Sequence, residues 1–225
     1  MIVTVSCLGN NGRFGNQLFQ YAFARAYAES IDAELQTPDW QGRYIFKDIN
    51  EKIMISPAGL STEFPNGEGN IDLSGYFQQP QHLNFLSRKK LKEWFTFKDD
   101  YTIPKHDLVI HKRRGDYLSF PEVFPIVSDE SYTAAALYYG FNIESAIVLD
   151  DSRPSYLFLH DFQIIINCNI FFRSNSTYAW WASTLGNCQT YSPVVKDYTG
   201  LIDASFVIGN DEQLGGFTGS MKIND

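Results

Sequence analysis

The stretch IHKRRGDY, Ile110 to Tyr117, sets three cations and a carboxylate at the end of an apolar run. Side chains alternate along a strand. A strand from Leu108 to about Arg113 therefore aims His111 and Arg113 one way, and Lys112 and Arg114 the other. Ligands of α/β sheets bind outside the carboxyl ends of strands. A guanidinium there is planar and permanently charged, and it can grip a diphosphate with two hydrogen bonds. The competing reading is a surface salt-bridge cluster in which Arg114 pairs with Asp116. We assign Arg113 to a ligand, and Arg114 with Asp116 to structural support.

Three further stretches carry residues of similar promise. Gly9, Gly12 and Gly15 stand three apart in GNNGRFGNQLFQYAFARAYA. Their order is not the dinucleotide fingerprint, and no Lys-Ser or Lys-Thr follows as it would in a P-loop. The loop is either an anion cradle at a helix N-terminus or a plain glycine-rich turn. Asp150 and Asp151 close the apolar run in VLDDSRP. A carboxylate there can accept from a ribose or from the adjacent N–H donors of guanine; its plainer role is a helix cap. Ser174, Asn175 and Ser176 precede a helix, where small hydroxyl and amide donors suit an anion. Ser174 or Asn175 is alternatively a simple cap. Trp180 and Trp181 read as core. The chain has no D-x-D, so no divalent cation is expected.

These residues need a scaffold, and its elements are legible in outline. MIVTVSCL reads as a buried first strand. Phe19, Ala22, Phe23, Ala26 and Tyr27 form one apolar helical face. Gln36 to Gly69 is irregular. NIDLSGYF predicts a strand ending in a turn, and QHLNFLSRKKLKEWF a helix whose RKKLK run is a solvated face. HDLVIHKRRGDY is a strong strand, Leu108 to about Arg113, running into a polar turn; DESYTAAALYYG is a helix closed by Gly140, SAIVLDD a buried strand and FQIIIN a short apolar strand. SNSTYAWWASTLGN predicts a loop and then a helix. Strands alternating with helices argue for parallel α/β sheets, with a boundary near Lys98 to Lys105.

With 225 residues the chain allows one large domain or two small ones, and its apolar content excludes disorder. A net charge of −8 disfavours nucleic acid as a partner. Cys7, Cys168 and Cys188 lack any CxxC spacing, so neither a disulfide framework nor a zinc site is expected. Reduced thiols fit a cytoplasmic protein. The opening residues are too short for a signal peptide, and no apolar run approaches the ~20 residues of a membrane span. The expectation is a cytoplasmic protein with no transmembrane segment, peripheral membrane contact being left open. On that view the acceptor pattern for N-glycosylation at Asn175 is accidental.

Taken in order, these stretches resemble the α-1,2-fucosyltransferases of glycosyltransferase family 11. GRFGNQLFQYAFARAYA is similar to that family's N-terminal glycine motif and helix, LSGYFQQPQHL to its Gly-Tyr-Phe-Gln segment, and IHKRRGDY to its His-x-Arg-Arg-x-Asp signature. SYTAAALYY, VLDDS and SNSTYAWWAS follow as its later blocks do. The chain is shorter than is usual there, and Lys112 stands where an apolar residue is commoner.

The resemblance implies an α/β fold of GT-B type: two Rossmann-like halves with parallel sheets and the site in the cleft between them. Residues 1–98 would be the acceptor side with the glycine loop, and 99–225 the donor side. It further implies inverting, metal-independent transfer of L-fucose from GDP-fucose to a glycan acceptor, a galactoside 2-OH, with no cofactor. Arg113 would bind the β-phosphate. His111 and Asp151 would contact the nucleotide, Asp151 on guanine. Ser174, Asn175 and Ser176 would line the phosphate or fucose, and Gly15 and Asn16 would reach the donor across the cleft. The alternatives are a transferase of the same fold using another acceptor or GDP-sugar, and a non-catalytic module that binds nucleotide or glycan.

Overall fold

The computed structural model describes residues 1–99, 102–150, 152–196, 199–210 and 223. The chain divides into two compact units, Met1–Tyr101 with Ile223–Asp225, and Thr102–Lys222. Both are mixed α/β units built on a five-stranded sheet.

The first unit runs β1 (Ile2–Thr4), α1 (Phe14–Ser30), β2 (Glu34–Thr37), α2 (Gly42–Ile45), β3 (Lys52–Ile53), β4 (Ser61–Thr62), β5 (Ile71–Leu73), α3 (Pro80–Leu83) and α4 (Arg88–Trp94). Its sheet is parallel throughout, in the order β3-β2-β1-β5-β4. The chain winds outward from β1 to β3, then resumes on the other side of β1. Such a reversal is a topological switch point, where loops diverge and leave an opening.

Helix α1 is buried over most of its circumference rather than along the single face expected. It is a core helix, and its Phe23 ring packs on Phe77 at 4.7 Å and on His82 at 4.8 Å. QHLNFLSRKKLKEWF forms two helices rather than one. Ser87 interrupts it, its Oγ accepting the Lys90 N–H at 3.3 Å to start α4 afresh. The basic run around Leu91 is solvated as expected: Leu91 is buried while Lys90 reaches Glu29 at the surface.

The second unit runs β6 (Leu108–His111), α5 (Gly115–Ser119), β7 (Pro125–Val127), α6 (Asp129–Tyr138), β8 (Ile147–Leu149), α7 (Phe158–Ile166), β9 (Ile170–Phe172), α8 (Thr177–Leu185), β10 (Gln189–Pro193), β11 (Gly200–Ile202) and β12 (Phe206–Ile208). Its main sheet has the order β12-β10-β9-β6-β8, parallel except for β12. Strands β7 and β11 pair separately. From β6 the chain passes to β8 on one side and returns to β9 on the other, so this unit's switch point lies between β6 and β9. Ile110, Val127, Tyr132, Ala136, Phe172, Tyr191 and Phe206 fill the core above the sheet.

Two strand expectations are corrected. FQIIIN is the second half of α7, because Phe158, Phe162, Ile165 and Ile166 recur at helical spacing; a short apolar run does not reveal its period when read alone. The strand comes next, at Ile170–Phe172. SAIVLDD supplies an edge strand, not a buried one, with Val148 40% exposed.

Candidate functional site

At the carboxyl end of β6 the ladder stops at His111, with one more backbone bond from Lys112 N to Leu149 O at 2.8 Å. Arg113 therefore lies beyond the strand, and Arg114 is the residue from which α5 starts. Lys112 and Arg114 still share a side. Both reach the carboxylate of Asp129, at 2.9 and 2.5 Å. The Lys112 hydrogen bond, helped by that of Arg114, holds the Asp129 carboxyl below its ordinary range.

The expected ion pair of Arg114 with Asp116 is corrected. Asp116 meets Arg113, because the first turn of α5 brings residues three apart together. The Arg113 guanidinium also lies over the Tyr117 ring, 5.3 Å from its centroid, and Tyr117 stacks on Phe124 at 4.4 Å. Among the described residues, Lys112, Arg113 and Arg114 thus meet the carboxylates of Asp116 and Asp129 at this end of β6.

The carboxyl end of β9 lies on the other side of the switch point. Arg173 follows the strand and is wholly buried. Its Nε donates to Ser192 Oγ at 2.7 Å, and its Nη1 to the Ser174 carbonyl at 3.0 Å. Ser174, Asn175 and Ser176 are buried as well. The helix cap is Ser176, not Ser174 or Asn175: its Oγ accepts the Ala179 N–H at 3.1 Å. Asn175 Nδ2 donates to the Pro125 carbonyl at 2.9 Å and so ties the loop to β7. Ser174 Oγ lies 2.8 Å from His111 Nδ1. The structure thereby joins His111 to the serine pair, as two strand ends that share one opening should be joined.

Around them are residues that the sequence did not single out. The Tyr132 hydroxyl donates to the His111 carbonyl at 3.2 Å, and the Tyr178 ring lies 5.3 Å from the His111 ring. Burial pushes the phenols of Tyr132 and Tyr178 well above their usual range, so both stay protonated donors. Arg173 had one readable signal, a charge closing the apolar run IFF.

Asp150 forms a turn of its own. Its Oδ1 accepts from Ser152 N at 3.0 Å and from Ser152 Oγ at 2.5 Å, a local turn rather than the helix cap of the plainer reading, since the next helical turn, Ser155–Leu157, follows Pro154. Arg153 then clasps Asp161 of α7 with two bonds, at 2.8 and 2.7 Å. Asp151 lies outside the described residues.

In the first unit the helix begins earlier than the glycine pattern suggests. Gly15 and Asn16 belong to the first turn of α1, so only Gly9 and Gly12 shape the loop, both with positive φ. Gly12 is required twice over. A Cβ there would also meet Asn16 Nδ2 at 2.2 Å. Gln17 and Gln20 donate back to the loop carbonyls of Gly12 and Asn11, at 3.3 and 3.0 Å. Gln78 Nε2 donates to Asn16 Oδ1 at 2.9 Å.

Among the described residues, no group of three or more His, Cys, Asp or Glu side chains is placed to hold a metal ion. No helix among them is long and apolar enough to cross a membrane. Trp180 and Trp181 are core, as expected.

No protein-family model and no curated protein sequence matches the chain. Among solved structures it is similar to a point mutant of Arabidopsis thaliana FUT1 in complex with GDP. The TM-score is 0.49 and the identity 11%, over 91% of this chain and 73% of that one.

Proposed function

We propose that this protein is a glycosyltransferase that moves L-fucose from GDP-fucose to a hydroxyl of a glycan acceptor, in the manner of a GT-B enzyme and without a metal. One observation carries the reading. The His-x-Arg-Arg-x-Asp stretch and the Ser-Asn-Ser stretch, far apart in sequence, meet at the β6–β9 switch point through His111 and Ser174.

The chemistry follows from charge. As the sugar leaves GDP, negative charge grows on the β-phosphate and positive charge on the ring. Preorganised donors where charge develops are usually the largest catalytic term. Arg113 is the donor in this reading, exchanging its contact with Asp116 for the diphosphate. Inversion follows when the acceptor hydroxyl attacks the face opposite the leaving GDP.

Titration calorimetry with GDP, UDP and ADP tests the nucleotide. GDP should bind best, Asp151→Ala should remove most of that preference, and added chelator should change neither binding nor transfer. Equal affinity for GDP and UDP would overturn the guanine assignment. Transfer assays with GDP-fucose against GDP-mannose then decide the sugar.

A further inference from the structure

Cys168 and Cys188 stand twenty residues apart in sequence, and the fold brings them side by side. Cys168 lies just beyond α7, and Cys188 immediately precedes β10. The parallel pairing of β9 with β10 sets these two chain segments next to each other. Gln189 stands opposite Ile170, and its N–H donates to the Asn169 carbonyl at 2.8 Å. Paired strands lie about 4.8 Å apart, and a disulfide needs Cα atoms roughly 4.4–6.8 Å apart. The sulfurs also share a layer, the one formed by α7 and α8. Cys168 Sγ donates to the Ile165 carbonyl of α7 at 3.1 Å. Cys188 Sγ lies 3.5 Å from Thr190 Oγ1, which bonds Ser183 of α8. There the two thiols meet as hydrogen-bond partners. That contact, with burial, pushes the Cys168 thiol well above its ordinary range, which leaves it a poor first nucleophile. Cys168 is buried, whereas Cys188 is partly exposed and open to a reagent.

We infer that Cys168 and Cys188 are a redox-active dithiol, which small disulfides convert to an intramolecular disulfide. Cys188, the accessible sulfur, attacks as its thiolate one sulfur of a small disulfide RSSR and expels RS⁻. Cys168 gives up its proton and attacks Cys188 Sγ, expelling the second RS⁻. Two electrons pass from the pair to the small disulfide, which leaves as two thiols carrying the protons of the two cysteines. The new bond closes a loop that contains β9, Ser174, Asn175, Ser176 and α8. It sits at the amino ends of β9 and β10, whereas His111 and Ser174 meet at the carboxyl ends of β6 and β9. It is therefore a staple, which stabilises the second unit by constraining its unfolded chain. This inference does not rest on the glycosyltransferase reading.

Peptide mapping of the full chain tests the pair. The folded protein is equilibrated with glutathione disulfide, quenched by alkylation, digested and read by mass spectrometry. The parent should yield a Cys168–Cys188 cross-linked peptide, with Cys7 of the first unit alkylated. Cys168→Ser should stop the reaction at Cys188, as a mixed disulfide with glutathione. The oxidised parent should melt above the reduced parent, and the gap should vanish in Cys188→Ser. Two alkylated thiols after prolonged oxidation, a parent that halts at the glutathione adduct, or a bond to Cys7 would each overturn the inference. A cross-linked parent that melts no higher than the reduced one would overturn the staple. If the variants fail to fold, the parent's peptide map and melting curve still decide.

Discussion

The two switch points have the same topology and opposite chemistry. Beside β1 in the first unit, the buried group is the carboxylate of Asp72. It accepts from Thr4 Oγ1 at 2.8 Å, Ser6 N at 3.0 Å, and Ser6 Oγ and Ser61 Oγ at 2.6 Å each. Four donors offset much of the cost of burying that charge. Between β6 and β9 in the second unit, the buried charge is the guanidinium of Arg173, and Arg113 follows close behind His111 in sequence. A parallel sheet makes the opening wherever its winding reverses. The sign of the charge beneath it decides what can enter. A diphosphate is repelled by a carboxylate and drawn to guanidinium groups, so on the proposed reading it is the second unit that takes the nucleotide.

The sharpest way to break this contrast is at Arg113. Removing one preorganised charge donor costs on the order of 2.7–4 kcal/mol, roughly 100- to 1000-fold in turnover. Arg113→Ala should lose activity on that scale while melting close to the parent, and Arg113→Lys should recover little of it. Full activity in either variant would detach catalysis from the cationic end of β6. The matching change in the first unit is Asp72→Ala, whose effect should appear in stability. Three hydroxyls, one of them on the buried Thr4, lose their acceptor, so denaturant unfolding should show a loss of about 2 kcal/mol. A loss below about 0.5 kcal/mol would mean that the carboxylate does not hold β1, β4 and β5 together.

Acid provides a gentler probe of the first unit. His82 is buried among Phe23, Phe77 and Phe64, with Nδ1 accepting from Gln79 N and Nε2 donating to the Glu63 carbonyl. Burial lowers its pKa from the usual 6.5. The folded state thus binds the proton less well than the unfolded chain. The stabilisation is whole above 6.5 and is lost as pH falls from there through the lower folded value. Urea midpoints followed from about pH 8 to about pH 5 should fall more steeply in the parent than in His82→Gln. Equal slopes would remove His82 as the cause. The smallest effect belongs to Arg114→Ala. Its pair with the exposed Asp129 is shared with Lys112, so the loss should be about 0.5 kcal/mol or less, seen chiefly in the melting temperature. Turnover abolished at unchanged melting would exchange the roles given to the two arginines.

What could be read from the sequence was mostly local. The strand before His111, the helix after the glycine loop and the helix after Ser-Asn-Ser each announce themselves by spacing, and parallel sheets follow from their alternation. Direction beyond a strand's end was harder. Alternation grouped Lys112 with Arg114 correctly, but the partner of Asp116 depended on where α5 began, and a helix of five residues leaves little periodic trace. FQIIIN failed for the related reason that four apolar residues fit either period. Ser176 as the cap, Tyr132 on the His111 carbonyl and the burial of Arg173 all depend on chain segments that meet only after folding.

The winding of the first sheet also bears on how the chain is made. Strand β1 is made before the other strands of its sheet, yet one of its neighbours is residues 34–37 and the other is residues 71–73. Until that second neighbour has been synthesised and has reached it, one side of an apolar strand must wait with its backbone groups open. Sheets closed by such distant pairings form slowly and expose aggregation-prone edges meanwhile. A nascent chain stalled before residue 71 would keep that edge open, while one stalled beyond α4 would not, and the interval between the two is where a chaperone should be found.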